Sequence, residues 1–229
     1  MTSNAAASEL HPLDAEPGSV SPIDLAARLA ARLCHDFISP TSAIVSGLDL
    51  IDDPEQQDMR EDAMNLIADS ARKLAALLSF SRIAFGGSAS AETFDPRELE
   101  RLSRDLFGHV RAELDWQVEA PSLEKPAARA LLNLAQLGAS ALPTGGKATL
   151  STGISEDGRQ ELRLDAVGPR ARLRPEAIDG LKGMAFGEGL GGHWVQAYFL
   201  YSIVAQAGGE LGFEIEDEAV RVRVKLSTV

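Results

Sequence analysis

Leu33-Cys34-His35-Asp36-Phe37-Ile38-Ser39-Pro40-Thr41 lies inside a run whose apolar residues recur as Leu25, Leu29, Leu33, Phe37, Ile44, Leu48 and Ile51. That spacing is helical rather than alternating. At about 100° per residue these side chains form one stripe, and His35 falls roughly opposite its centre. Arg28, Arg32, Ser39, Ser42 and Ser46 share the face of His35. The histidine is therefore displayed to solvent, beside an acid and among arginines, with small residues leaving room for another molecule.

The same run decides the fold of the first third of the chain. Ser21-Pro22-Ile23-Asp24 reads as a helix start, with serine as cap and proline at the first helical position. The helix should end at Asp52-Asp53-Pro54. After a short turn, Met59, Ala63, Leu66, Ile67, Ser70, Leu74, Leu77, Leu78 and Phe85 mark a second helix over about residues 55–85. Two helices of about thirty residues make an antiparallel hairpin about 45 Å long. A lone hairpin cannot enclose its own apolar stripes. The expected solution is a homodimer whose paired hairpins form a four-helix bundle. Coverage of the stripe by the following domain is the alternative.

On the N-terminal side of this hairpin, residues 1–20 are rich in Ala, Ser, Pro and acid, without a basic start or an apolar run. They read as a disordered tail rather than a signal peptide, which makes cytoplasmic residence the expectation. Gly86-Gly87-Ser88-Ala89-Ser90 is a flexible break, so the hairpin domain spans 21–86 and a second domain spans 91–229. In that domain Asp95 to Glu98 has capping-box spacing and opens a helix to about Val110. Leu114 to Val118 alternates as a short strand, and Pro126 opens a helix through Ala141. Strands are expected over 147–154 and 160–167, a helix over 192–207, and a closing hairpin of 210–216 and 219–226. Helices followed by sequential strands indicate an α+β chain whose second domain is an α/β sandwich with helices on one face.

The 229 residues are enough for a sizeable core. A net charge of −12 argues against nucleic acid or an anionic membrane as partner. No segment approaches the apolar length that spans a bilayer. One cysteine excludes an internal disulfide framework and a cysteine-rich zinc site. Cys34 reads as a small residue on a helix flank. His11, His109 and His193 have no spaced ligand partners and read as surface or packing residues.

Two readings of His35 are open on periodicity alone: an ordinary histidine on a solvated helix, or a reactive one. Asp36 can accept a hydrogen bond from one ring nitrogen, fixing the tautomer and leaving the other nitrogen as a nucleophile. Arg28 and Arg32 can attract a phosphoryl group or an acidic partner. Ile38, near the His35 face, gains nothing there unless a partner covers it. Pro40 lacks an N–H, so a bend is expected just beyond the histidine.

His35-Asp36-Phe37-Ile38-Ser39-Pro40 resembles the H-box of sensor histidine kinases. More narrowly, Ala30 through Pro40 and Ser42 through Leu50 resemble the ChpT-type histidine phosphotransferases of alphaproteobacterial phosphorelays. Asp58-Met59-Arg60, Leu181-Lys182-Gly183 and Gly189-Leu190-Gly191-Gly192 extend that likeness over nearly the whole chain outside the tail. The resemblance implies a degenerate kinase-like ATP-binding domain at the C-terminal end. Where kinases of this kind place a magnesium-binding asparagine, Leu131-Leu132-Asn133-Leu134-Ala135-Gln136-Leu137-Gly138 has Leu137. Where they place the adenine-bonding aspartate, Ala166-Val167-Gly168-Pro169-Arg170 has alanine, with Asp165 one residue early and a slipped loop open. Gly187-Glu188-Gly189-Leu190-Gly191-Gly192 retains the form of a phosphate-cradling turn.

The resemblance further implies a shuttle. A receiver's aspartyl phosphate is attacked by His35, and a second receiver's aspartate takes the group on. The chain itself binds no cofactor, and the receiver supplies Mg²⁺. Implied partners are the receiver of a CckA-like hybrid kinase and the CtrA-like and CpdR-like response regulators of cell-cycle control. An active ATP-dependent histidine kinase and a non-catalytic dimeric adaptor are the rival readings.

Overall fold

The computed structural model describes residues 20–86, 92–185 and 192–227. The expected tail, all but Gly86 of the glycine-serine break, and all but Gly192 of the glycine-rich segment lie outside them. Helix α1, Pro22–Asp52, starts at Ser21, whose side-chain oxygen accepts from the Asp24 amide at 3.1 Å. It continues through Pro40, which is buried, and the Thr41 hydroxyl donates to the Phe37 carbonyl at 2.7 Å. Helix α2 begins later than expected. Pro54–Met59 forms a 3₁₀ turn with non-helical backbone at Gln56, and α2 spans Arg60–Ala84. The Asp53 carboxylate accepts from the Glu55 amide at 2.9 Å, a local bond that competes with the α-helical ladder.

The two helices cross closely at small residues. A Cβ on Gly47 would lie 2.6 Å from Ile67 Cγ1 and 3.1 Å from the Ala63 carbonyl oxygen, and Ala63 and Ser70 are buried at the seam. Leu48, a member of the apolar stripe by spacing, is 49% exposed. The wheel places it on the flank of that stripe, and among the described residues no element covers the flank.

The remainder is the expected sandwich. Its sheet contains β2 (Ala112–Gln117), β4 (Gly146–Ile154), β5 (Gln160–Val167), β7 (Ala219–Leu226) and β6 (Glu210–Glu216), in that spatial order. β2 and β4 are parallel and the other neighbours antiparallel. Helices α3 (Pro96–Phe107), α4 (Lys125–Ala141) and α6 (Gly192–Gln206) supply the helical layer. Leu150, Leu162, Leu164, Val220, Val222 and Val224 point into the shared core. The alternate residues carry charge, as in the row Asp165, Arg221 and Glu214. α3 stops three residues early because Gly108 caps it. Three short elements escape sequence periodicity: β1 (Thr93–Phe94) paired with β3 (Leu123–Glu124), and α5 (Pro175–Leu181).

Hairpin and sandwich are joined at two places. Phe80, Ile83 and Ala84, at the end of α2, belong to the sandwich core. Leu25 and Leu29 of α1 pack on Trp194, Val195, Tyr198 and Tyr201 of α6. Among the described residues no helix is long and apolar enough to cross a membrane.

Candidate functional site

The His35 side chain is 85% exposed, and its Nδ1 lies 3.3 Å from Asp36 Oδ1. That contact selects a proton on Nδ1, donated to the carboxylate, and leaves Nε2 bare toward solvent. Asp36 is far less exposed, and so is Arg32, whose Nε donates to Asp36 Oδ2 at 2.7 Å. Arg32 Nη1 donates to the Gly192 carbonyl, also at 2.7 Å, at the first residue of α6. The Arg28 guanidinium lies 5.9 Å from the ring centroid of Trp194. Both arginines, expected to face a partner, are thus engaged with α6. Ser39, Ser42 and Ser46 are exposed, Ile38 is 62% exposed, and Cys34 is an exposed free thiol.

A cleft of about 300 Å³ opens beside the histidine. One wall is Arg32, His35, Asp36 and Ser39 of α1, with Lys73 and Leu77 of α2. The other comes from the sandwich, including His109, Val110 and Gln136. Sequence reasoning does not place Lys73 or Gln136 here, and it reads His109 as a surface or packing residue only. Residues separated by more than a hundred positions meet only through the docking of α3 and α4, which no local pattern encodes. Gln136 Oε1 is buried with no hydrogen-bond partner among the described residues. His193, next to Gly192, has its pKa lowered, first by burial and then by the positive charges of Arg32 and Arg174.

The positions that would hold ATP do not fit it. Leu137 is 3% exposed and Ala166 fully buried, both inside the main core. Asp165 does not replace Ala166. As the alternate residue of β5 it points to the outer sheet face, 3.5 Å from Arg221. Gly168 is pressed on the Gly145-Gly146 turn, where a Cβ would meet the Gly145 carbonyl oxygen at 2.6 Å and Gly146 Cα at 2.7 Å. Asn133 turns its amide to the end of α2, donating to the Ala84 carbonyl at 3.2 Å. Arg129 Nη2 does the same to Phe85 at 3.3 Å. These two polar side chains of α4 thus help hold the end of the hairpin. Among the described residues no three His, Cys, Asp or Glu side chains gather as a metal site requires.

A long helical hairpin with an exposed, acid-backed histidine, fixed to an α/β sandwich, has the architecture of a histidine phosphotransfer protein. Comparison with known proteins agrees. The histidine phosphotransferase C-terminal domain matches residues 96–219. The protein phosphotransferase ChpT of Brucella abortus (strain 2308) is 34% identical over 206 residues, covering 89% of this chain and 96% of that protein. A solved structure of a bacterial phosphotransferase superposes with a TM-score of 0.80 at 31% identity, covering 91% of this chain and 98% of that one. The chain belongs to the ChpT family of histidine phosphotransferases.

Proposed function

We propose that this chain relays phosphoryl groups between receiver domains through Nε2 of His35. The observation that carries the reading is the imidazole itself, 85% exposed with Nδ1 turned to Asp36. In the first step Nε2 attacks the phosphorus of a receiver's aspartyl phosphate. The P–N bond forms as the P–O bond breaks, and the electron pair returns to the aspartate carboxylate. The Nδ1 proton stays in its bond to Asp36, whose negative charge stabilises the cationic ring. In the second step another receiver's carboxylate attacks in line and the imidazole leaves. A loose transition state asks for positioning and charge rather than further covalent machinery, and Mg²⁺ comes with the receiver.

The donor is the receiver of a CckA-like hybrid kinase, and the acceptors are CtrA-like and CpdR-like regulators. Ser39, Ser42 and Ser46 leave room for the receiver loops, and Ile38 supplies apolar area at the rim. The chain works as a homodimer. On α1, Ile38, Thr41, Val45 and Leu48 form a stripe about 180° from Leu25, Leu29, Arg32 and Asp36, which face the sandwich side. On α2, Met64, Ala71, Ala75 and Leu78 likewise lie opposite Lys73, Leu77, Phe80 and Ala84. All eight of these outward residues are exposed in the single chain, and a second hairpin would cover them. The exposed thiol of Cys34 suits a reducing cytoplasm.

The test is to incubate the chain with labelled ATP alone, and separately with a phosphorylated receiver, and to map the modified residue by mass spectrometry. Label on His35 only in the second mixture supports the relay. Label from ATP alone, or transfer to another residue, defeats it.

A further inference from the structure

Asp36 follows His35 directly, and successive side chains on a helix diverge by about 100°. The helix does not by itself bring the two together. What turns the carboxylate is Arg32, one turn earlier, which holds Oδ2 through Nε at 2.7 Å and leaves Oδ1 facing Nδ1 of His35. The same planar guanidinium is held at its other edge by the Gly192 carbonyl at 2.7 Å. Two bonds on two edges fix the plane of a rigid fork, which a lysine's single ammonium cannot reproduce. The chain of contacts therefore runs from Gly192 at the start of α6, through Arg32 and Asp36, to the reactive ring.

We infer that Arg32 is a positioning residue for His35, and that through it the docked sandwich sets the tautomer of the phosphotransfer histidine. This deepens the reading above and rests on His35 as the reacting group. It also gives the domain unsuited to ATP a role of its own, since α6 supplies the carbonyl that anchors the relay. Arg32 and Asp36 are largely shielded from solvent, so their ion pair is screened less than an open surface pair. Gly192 leaves the space this needs. A Cβ there would meet Arg32 Nη1 at 3.2 Å and Cδ at 3.5 Å, so the arginine would have to shift.

The experiment reads the ring before it reads the reaction. The full-length protein is labelled with ¹⁵N in histidine, and the nitrogen resonances of His35 are recorded for wild type, Arg32→Ala, Arg32→Lys and Gly192→Ala. Wild type should show the Nδ1–H tautomer. Arg32→Ala and Arg32→Lys should move the ring toward the Nε2–H form that a free histidine favours in water, and Gly192→Ala should do so partly. Phosphoryl transfer from a receiver should slow roughly ten- to a hundredfold in Arg32→Ala. Adding Asp36→Asn to Arg32→Ala should slow it little further, because both act on one chain of contacts. An unchanged tautomer in a folded Arg32→Ala protein overturns the inference, and so does full rescue by lysine. A shifted tautomer with no transfer to wild-type His35 upholds the relay of contacts and defeats the proposed function instead.

Discussion

Helices α1 and α4 belong to the same chain and bury their residues very differently. Only Pro40 and Gly47 of the 31 residues in α1 are buried, whereas eleven of the 17 residues in α4 are. α4 lies between the sheet and the end of α2, so it is enclosed on nearly every side, and even its polar Asn133 is drawn into holding α2. α1 touches α2 along one seam and α6 near its start, and leaves a second apolar stripe open. The difference separates two roles. The sandwich stabilises itself and the joint, while the hairpin presents surface: under the function proposed above, one face is for a second copy and one for a receiver, with His35 at the edge between them.

The comparison breaks most sharply at His35. His35→Ala should abolish acceptance of a phosphoryl group while leaving the melting transition within about 0.5 kcal/mol of wild type, as for other exposed positions. Transfer assays with a phosphorylated receiver, run beside thermal denaturation, check both halves. Unfolding of that variant would show that α1 is not a display surface.

Next in size is a matched pair of apolar changes. Leu134 in α4 is fully buried, and Leu134→Ala should destabilise the chain by about 2–5 kcal/mol in denaturant titration. Leu48→Asp should cost the isolated chain almost nothing, because the residue is half exposed, and should drive the proposed dimer apart. Leu74 is less exposed and lies in the seam toward α1, so Leu74→Asp should damage folding and association together. Sedimentation at micromolar concentration separates these outcomes. A Leu48→Asp protein that stays dimeric would place the interface elsewhere.

Much of this is readable from the residues. The capped start at Ser21, the stop at Asp53-Pro54 and the hairpin over Asp217-Glu218 rest on local chemistry, and each falls where that chemistry puts it. His35 is legible because a polar residue opposite an apolar stripe has one destination. Leu48 is not, because a wheel counts apolar positions without saying what covers them, and α1 carries a covered stripe and an open one. Arg32 is legible as a neighbour of His35, but its tie to Gly192 crosses 160 residues and exists only once α6 docks. Lys73 and Gln136 enter the cleft for the same reason. α5 and the β1–β3 pair are too short for any period to register.

The smallest expected effect probes the joint between the two regions. His193 opens α6 beside Gly192, and its pKa is lowered, first by burial, then by Arg32 and Arg174, against a weaker opposing pull from Glu176 and Asp36. The folded chain therefore holds a neutral imidazole more readily than the unfolded chain does. Where the unfolded state binds more protons, stability rises with pH. The contribution of His193 is thus fully present above the ordinary imidazole value of about 6.5 and is lost as pH falls from there toward the lowered folded value. Protonation would also add a positive charge next to Arg32, loosening the contact of α6 with α1 rather than the sandwich core. His193→Gln removes the titration while keeping a polar side chain. Thermal midpoints of wild type and His193→Gln should converge at about pH 5.5 if glutamine is the less stable at about pH 7.5, with the wild type losing more on acidification. Hydrogen exchange should show that loss in the first turns of α1 and α6, with α4 unaffected. Equal acid sensitivity of the two proteins would mean that the joint carries no titrating histidine, and that the sandwich holds the hairpin through contacts independent of His193, among them those of Asn133, Arg129, Arg32 and the apolar residues around Trp194.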